Sequence, residues 1–216
     1  MFCYEKSPDE IYRQSFEIIR AEAELSGYSA AERQLVVRLI HACGMVDLTD
    51  DIVLSAKAVK AGMAAIRQGA PIICDVEMVR RGIIKRHLGD DNGLLCGLGM
   101  EKVAAVAKQA QTTRTAAGIE MLKAQIPGSI LAIGNAPTAL FHLLELVQKG
   151  LAPPAVIIGC PVGFVGAVES KEALIGMAGD MNDVELITVR GRRGGSAMAA
   201  AAVNALAILA REDESK

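Results

Sequence analysis

Short, continuous apolar runs alternate with amphipathic stretches through most of the chain. The runs have the length of buried strands, and they span 71–74, 94–96, 129–133, 155–158 and 185–189. The spacing between them predicts helices over about 76–81, 101–125, 136–149, 168–178 and 194–211. Strand, helix and strand in this order imply right-handed crossovers. The pattern therefore predicts an α/β fold with a mainly parallel sheet and helices on both faces.

The region before the first of these runs has helical periodicity instead. The predicted helices cover about 9–25, 29–43 and 54–68. Ser29 and Glu32 have the spacing of a capping box at the start of the second helix, and Gly44 follows its last residue, where glycine commonly ends a helix. We find no internal repeat, and we expect one domain over residues 1–211 followed by a disordered tail over residues 212–216.

Composition narrows the classes of protein that fit this pattern. The 216 residues carry a formal charge of −2, which gives no general attraction for nucleic acid or for an anionic membrane, so we expect neither as a partner. The five cysteines are scattered without a C-x-x-C pair, which argues against disulfides and structural zinc and favours a cytoplasmic location. The most apolar stretch, 196–210, contains Asn204 and is too short to span a bilayer, so we expect a buried helix there.

Three glycine-rich turns directly follow predicted strands, at 134–141, 159–166 and 191–196. Glycine turns that open helices present backbone N–H groups to anions, and ligands of parallel sheets bind beyond the carboxyl ends of the strands. None of the turns has the spacing of a dinucleotide or P-loop motif. We therefore expect a glycine-lined mouth for an anionic ligand, with Asn135 capping the helix after the first turn. Ordinary helix initiation is the alternative for any single turn.

His41 is the ionisable side chain best suited to chemistry. Arg38 precedes it by three residues, so both project from similar faces of the second helix, and the C-terminal end of a helix favours a cation. A histidine in this position can donate a proton near neutral pH. The alternative is a helix-end histidine that bonds to a carbonyl. His87 and His142 share no ligand spacing with His41, so we expect no metal site.

The other candidates each have an ordinary structural alternative. Arg114 is either a solvated residue or an inward guanidinium that grips a carboxylate. Lys171 is expected at the surface by default. A Schiff-base role would need a desolvated pocket, which the sequence does not show. Asp75 fits a helix cap better than a base, and Ser15 fits an exposed hydroxyl unless it contacts a ligand. Three arginines near the last glycine turn form either a basic rim or ordinary surface positions: Arg190, Arg192 and Arg193.

Several motifs occur in one order between about residue 7 and residue 209. They are Ser15-Phe16, Arg38-Leu-Ile-His-Ala-Cys-Gly-Met45, Asp75-Val-Glu-Met-Val-Arg-Arg-Gly82, Thr113-Arg-Thr115, Ile133-Gly-Asn-Ala-Pro-Thr-Ala-Leu140, Pro161-Val-Gly-Phe-Val-Gly-Ala167, Glu169-Ser-Lys171 and Gly191-Arg-Arg-Gly-Gly-Ser196. With these motifs the chain resembles the precorrin-8X methylmutase family of corrin (cobalamin) biosynthesis, which includes the cobalt-precorrin-8 form.

The resemblance implies a flavodoxin-like doubly wound sheet and a homodimer with sites at the subunit contact. It also implies an isomerase reaction on a tetrapyrrole, in which a methyl group moves from carbon 11 to carbon 12 of the macrocycle without an external cofactor. Two other functions stay open from the residues alone. They are a Schiff-base aldolase or lyase that uses Lys171, and a carrier that binds a tetrapyrrole without converting it.

The same resemblance assigns roles to residues. It makes His41 the proton donor and acceptor, lets Ser15 and Arg38 contact the substrate, and places Arg114 near the ligand. Residues of the glycine turns complete the substrate-binding set that we predict: Asn135, Gly194 and Gly195. Whether the natural substrate already contains cobalt is not decided by the motifs.

Overall fold

The computed structural model describes residues 2–214 as a six-stranded sheet between two layers of helices. The strands are β1 (Ile52–Leu54), β2 (Ile72–Cys74), β3 (Leu94–Cys96), β4 (Ile130–Ile133), β5 (Val156–Gly159) and β6 (Leu186–Val189). The helices are α1 (Pro8–Glu22), α2 (Ala30–Cys43), α3 (Ala58–Arg67), α4 (Glu77–Gly82), α5 (Val103–Gln109), α6 (Arg114–Met121), α7 (Pro137–Gln148), α8 (Ala167–Asp180) and α9 (Ser196–Glu214). Short 3₁₀ turns lie at Val46–Asp50, Lys85–His87, Gly97–Gly99 and Lys123–Gln125.

The sheet has the flavodoxin-like strand order that the resemblance implied. The order is β1-β6-β5-β4-β2-β3, and all neighbours from β6 to β3 are parallel. Counted from β2, these five strands have the order 2-1-3-4-5. The winding direction reverses between β2 and β4 in such a sheet, so the carboxyl ends of these two strands flank the crevice in which ligands commonly bind.

β1 is an edge strand that the sequence pattern missed. It runs antiparallel to β6, with Ile52 opposite Val189. The predicted helix over 54–68 was therefore wrong at its start, because α3 begins only at Ala58. A strand of three residues is too short to show a period, and this one depends on pairing with a strand far along the chain.

Alternate residues of the strands belong to two separate cores. Ile72, Ile130 and Ile158 cluster with buried side chains of α2, α3, α4 and α9. Ile73, Leu131 and Ile157 cluster with those of α6, α7 and α8. Because side chains alternate between the faces of a strand, the continuous apolar runs supply both cores. The predicted α/β class with helices on both faces is confirmed.

α9 is the buried helix that its apolar sequence predicted. It lies between the sheet and α2, α3 and α4, and Ala202 and Leu206 are fully buried. The helix continues to Glu214, so residues 212–214 extend a helix that we expected to end at 211, while residues 215–216 lie outside the described residues. None of the described helices is both long and apolar enough to cross a membrane.

The single helix predicted over 101–125 is two helices, α5 and α6, followed by a 3₁₀ turn. The break lies at Gln111, whose φ of 49° is left-handed, and Thr113 then caps α6 by accepting a hydrogen bond from the Ala116 N–H at 3.2 Å. Gly118, inside α6, is a packing position. A Cβ on the facing Gly97 would lie 2.3 Å from the Gly118 carbonyl oxygen.

Candidate functional site

The last turn of α2 presents His41 to solvent beside two aromatic rings. Ser29 and Glu32 form the predicted capping box at the start of this helix, and Gly44 ends it in the left-handed conformation at φ 72°. The His41 ring lies 5.5 Å from that of Tyr12 and 5.3 Å from that of Phe16, both on α1. The imidazole is therefore oriented by aromatic packing while its exposed edge stays accessible.

A cavity of about 460 Å³ opens next to His41. Its apolar wall comes mainly from α1, α9 and the segment after α4: Tyr12, Phe16, Ile84, Ala201 and Ile208. Its polar groups include Arg38, His41, Asn204 and the pair Arg86 and His87. An apolar cavity of this size with a few convergent polar groups is typical of a small-molecule site.

Arg38 is a half-buried positive charge of this cavity, which Asp9 also lines. Its guanidinium lies 5.2 Å from the Phe16 ring centroid. Burial lowers the pKa of Arg38, and the negative charge of Glu212 opposes this shift. No carboxylate of residues 2–213 pairs with it. A half-buried arginine that has no carboxylate partner within the protein can bind a carboxylate of a ligand.

The structure adds His87, which sequence spacing had set apart from His41. The 3₁₀ turn Lys85–His87 carries it to the same cavity. Asn204 on α9 holds the start of this segment, donating to the Gly82 carbonyl at 3.0 Å and accepting from the Ile84 N–H at 2.8 Å. The polar Asn204 in an apolar helix was the only local signal of this contact. The partners of Asn204, Gly82 and Ile84, are more than a hundred residues away in the sequence, so a local pattern could not predict the contact.

Ser15 and Arg114 do not line this cavity. Ser15 is half-buried on α1, next to Phe16. Arg114 is exposed at the first position of α6. Thr113 before it bonds to Thr138 at 2.8 Å, which places Arg114 beside the start of α7, on the face of the sheet opposite to α2. Within one chain, the predicted site residues therefore lie on two different surfaces.

The first glycine turn does not offer the anion cradle that we expected. Asp75, at the end of β2, accepts hydrogen bonds from the N–H groups of three consecutive residues at 3.1, 2.9 and 2.8 Å: Gly134, Asn135 and Ala136. Burial raises the pKa of Asp75, and these bonds oppose the rise. The chain's own carboxylate thus fills the crevice between β2 and β4. Asp75 is a cap, as predicted, but of α7 rather than of the helix after β2.

Asn135 does not cap α7, so that expectation was wrong. The cap position is Ala136, which makes no side-chain bond, and the Asn135 side chain is exposed at the mouth of the turn. Gly134 is required by packing. A Cβ there would lie 2.8 Å from the Ser196 Cα and 2.9 Å from a methyl carbon of Val79.

The second and third glycine turns are bonded to each other. The Gly195 N–H donates to the Cys160 carbonyl at 2.8 Å, and a Cβ on Gly194, whose φ is 155°, would lie 2.4 Å from the same oxygen. Lys171 is fully buried and donates to the Arg193 carbonyl at 2.6 Å, so its predicted surface position was wrong. Burial lowers the pKa of its ammonium group. This lysine supports the turn and does not line the His41 cavity.

The predicted basic rim is mostly neutralised. Arg190 pairs with Glu172. Arg193 pairs with Asp47 at 2.6 Å and approaches Asp51 at 3.6 Å, and its buried Nη1 makes no hydrogen bond within the described part of the chain. Arg192, with its guanidinium 5.1 Å from the Phe164 ring, is the rim arginine without a carboxylate partner among the described residues.

Among the side chains that the structure describes, those of residues 2–213, no group of three or more histidines, cysteines, aspartates or glutamates is arranged to hold a metal ion. Fold and cavity together define a flavodoxin-like α/β protein whose pocket combines an imidazole with an uncompensated arginine.

The comparisons with known proteins agree on one family. The family model described as Precorrin-8X methylmutase matches residues 10–209, and the chain belongs to this family. A Precorrin-8X methylmutase of Pseudomonas aeruginosa is 52% identical over 207 residues, covering 96% of this chain and 98% of the relative. A Cobalt-precorrin-8 methylmutase of Priestia megaterium is 37% identical over 204 residues, covering 94% and 88%. The crystal structure of a precorrin-8X methyl mutase from Thermus thermophilus superposes with a TM-score of 0.85 at 36% identity, covering 95% of this chain and 97% of that one.

Proposed function

We propose that this protein is the isomerase that moves a methyl group from carbon 11 to carbon 12 of precorrin-8X or cobalt-precorrin-8, giving hydrogenobyrinate or cobyrinate. Membership of the methylmutase family supports the reaction class. The observation that carries the proposal is that His41 and Arg38 line the same apolar cavity, His41 with an accessible imidazole and Arg38 with an uncompensated guanidinium. We infer that residues 1–211 form one domain and that the five free thiols suit a cytoplasmic location.

The cavity chemistry matches the substrate. A corrin precursor is a large, flat, apolar ring with acetate and propionate side chains at its rim. The ring packs against aromatic and aliphatic residues such as Tyr12, Phe16 and Ile208. Arg38 binds one rim carboxylate, and its half-buried position strengthens that pair relative to one in water.

His41 moves the proton that the rearrangement requires. The methyl group migrates within the substrate, so atoms and electrons balance without an external cofactor. The imidazole donates a proton to the macrocycle and takes a proton back, which leaves an isomer and restores the enzyme. General acid–base catalysis of this kind contributes roughly 10²–10⁴-fold, and the rest comes from holding the reactive conformation.

A homodimer accounts for the division of the predicted residues between two surfaces. We infer that one subunit supplies His41, Arg38 and Ser15, while its partner brings Arg114 to the same substrate. Asn135, Gly194 and Gly195 lie near the carboxyl ends of the strands and serve as further substrate contacts in this arrangement.

Mixed dimers test this arrangement. Subunits with His41→Ala and with Arg114→Ala, each inactive alone, are unfolded together and refolded as a mixture. Half of the dimers are hybrids, and each hybrid has one complete site, so about a quarter of wild-type sites return. Failure of the mixture to exceed the activity of either parent would refute a shared site.

The decisive experiment on function supplies precorrin-8X and cobalt-precorrin-8 separately and follows corrin formation in the visible spectrum. We expect faster conversion of the metal-free form, because identity is 52% to the relative named for precorrin-8X and 37% to the one named for cobalt-precorrin-8. His41→Ala should bind hydrogenobyrinate yet lose about 10²–10⁴-fold in turnover. His142→Gln, on α7 and bonded to Glu120, is the matched control.

Conversion by His41→Ala at the wild-type rate would remove the acid–base role. Tight binding of both substrates without any spectral change in the wild type would favour the carrier. The Schiff-base alternative has lost its support, because the Lys171 ammonium group bonds to the Arg193 carbonyl and does not line the His41 cavity.

A further inference from the structure

A second cavity, of about 390 Å³, adjoins the His41 cavity. The two share one wall, formed by Arg86 and His87 on the 3₁₀ turn after α4. The end of α3 contributes Arg67 to the second cavity, and α9 contributes Arg211. Three arginines and a histidine thus surround a space directly behind the proposed catalytic pocket, which we call the arginine cavity.

The charges of the arginine cavity are only partly balanced. Arg67 pairs with Asp213 at 2.6 Å and bonds to the Ala210 carbonyl at 3.1 Å. Arg211 donates to the Arg86 carbonyl at 2.6 Å, which fixes the backbone of the shared wall. The Arg86 guanidinium is exposed, and no carboxylate in the described side chains of residues 2–213 pairs with it. The positive charge of Arg86 therefore remains without a partner at the wall that the two cavities share.

The pKa of His87 is affected by arginines of both cavities. Burial lowers the pKa of its imidazole most, and the positive charges of Arg86, Arg211 and Arg38 lower it further. Arg38 belongs to the His41 cavity, and Arg211 belongs to the arginine cavity. Arginines of both cavities therefore act on His87, which lies on the wall that the cavities share.

We propose that the arginine cavity is a second carboxylate subsite for the same substrate, with Arg86 as its direct ligand. This inference rests on the proposed function. A ring that reaches His41 in the first cavity extends one rim side chain past the shared wall, where Arg86 pairs with its carboxylate and His87 can bond to it. Arg38 and Arg86 then hold two points of the rim, so that the pair with Arg86 adds to the affinity for the substrate.

The first test compares Arg86→Gln with Arg81→Gln. Arg81 is an exposed arginine on α4 that lines neither cavity, so it controls for the change in net charge. Arg86→Gln should raise KM about 10- to 100-fold, the range for loss of a hydrogen bond between charged groups, with kcat changed less than about twofold. Arg81→Gln should leave both constants unchanged. Equal KM values for the two variants would overturn the subsite.

The second test does not depend on turnover. The chain has three histidines, so the NMR titration of His87 can be resolved with and without hydrogenobyrinate. A bound carboxylate should raise the pKa of His87 in the wild type, but much less in Arg86→Gln. A hydrogenobyrinate whose rim carboxylates are converted to amides should leave the pKa of His87 lower than the acid does.

The outcomes separate this inference from the proposed function. Binding of hydrogenobyrinate that leaves the pKa of His87 unchanged, or no binding at all, overturns the subsite. Binding that raises this pKa in the wild type, in a protein that converts neither substrate, supports the subsite and refutes the enzyme activity.

Discussion

Replacing Asp75 by asparagine tests whether one internal carboxylate holds the crevice between β2 and β4 together. Asp75 is 2% exposed and accepts three backbone N–H bonds through its two oxygens. Oδ1 bonds to Gly134, and Oδ2 bonds to both Asn135 and Ala136. Asparagine has nearly the same shape, but one of the two oxygens becomes an NH₂ donor.

The cost follows from this geometry. Even in its better orientation, the asparagine leaves the Gly134 N–H facing a donor, and a buried unpaired N–H costs about 1–3 kcal/mol. The two remaining bonds lose their charge assistance and weaken to roughly half. Removing a buried charge offsets part of this loss, so we expect Asp75→Asn to lower the free energy of unfolding by about 2 kcal/mol.

Urea denaturation at several pH values provides the assay, with the exposed Asp183→Asn as the control. Because burial raises the pKa of Asp75 above its ordinary value of 3.8, the folded state keeps this proton longer than the unfolded state. The contribution of Asp75 to stability is therefore fully present below pH 3.8 and declines as pH rises through the folded pKa. The stability difference between wild type and Asp75→Asn should shrink over that window.

Two results would refute this reasoning. The first is a change of less than about 0.5 kcal/mol at neutral pH, which is the range of ordinary surface substitutions. The second is a stability difference that grows with pH above 3.8, because it would mean that the three N–H bonds outweigh burial and lower the pKa of Asp75.

Two further substitutions test packing and the shared wall. Gly97→Ala should lower the free energy of unfolding by about 1–3 kcal/mol, because its Cβ would meet the Gly118 carbonyl oxygen at 2.3 Å. Thermal unfolding beside Gly99→Ala, whose Cβ meets nothing within 4 Å, checks this, and equal melting temperatures would contradict it. Asn204→Leu should cost about 1–3 kcal/mol through its two lost bonds and should speed hydrogen exchange at the Ile84 N–H. Unchanged exchange at Ile84 would show that Asn204 does not hold the wall.

Elements whose signals are local could be predicted from the sequence. The capping box of Ser29 and Glu32 and the terminal Gly44 define α2 within a few residues. The apolar runs that became β4, β5 and β6 are recognisable because a strand buried on both faces needs apolar residues at every position. The same locality explains the failures. β1 is too short to show a period, and the break at Gln111 lies inside an otherwise helical pattern.

The candidate site follows the same division. Sequence motifs selected His41 and Arg38 because their spacing lies within one helical turn. They could not indicate that Asp75 would occupy the N–H groups of the Gly134 turn, or that His87 would reach the cavity of His41. Periodicity and caps record interactions within a turn or two of helix. Burial, charge pairing and the occupancy of backbone donors depend on which distant segments the fold brings together.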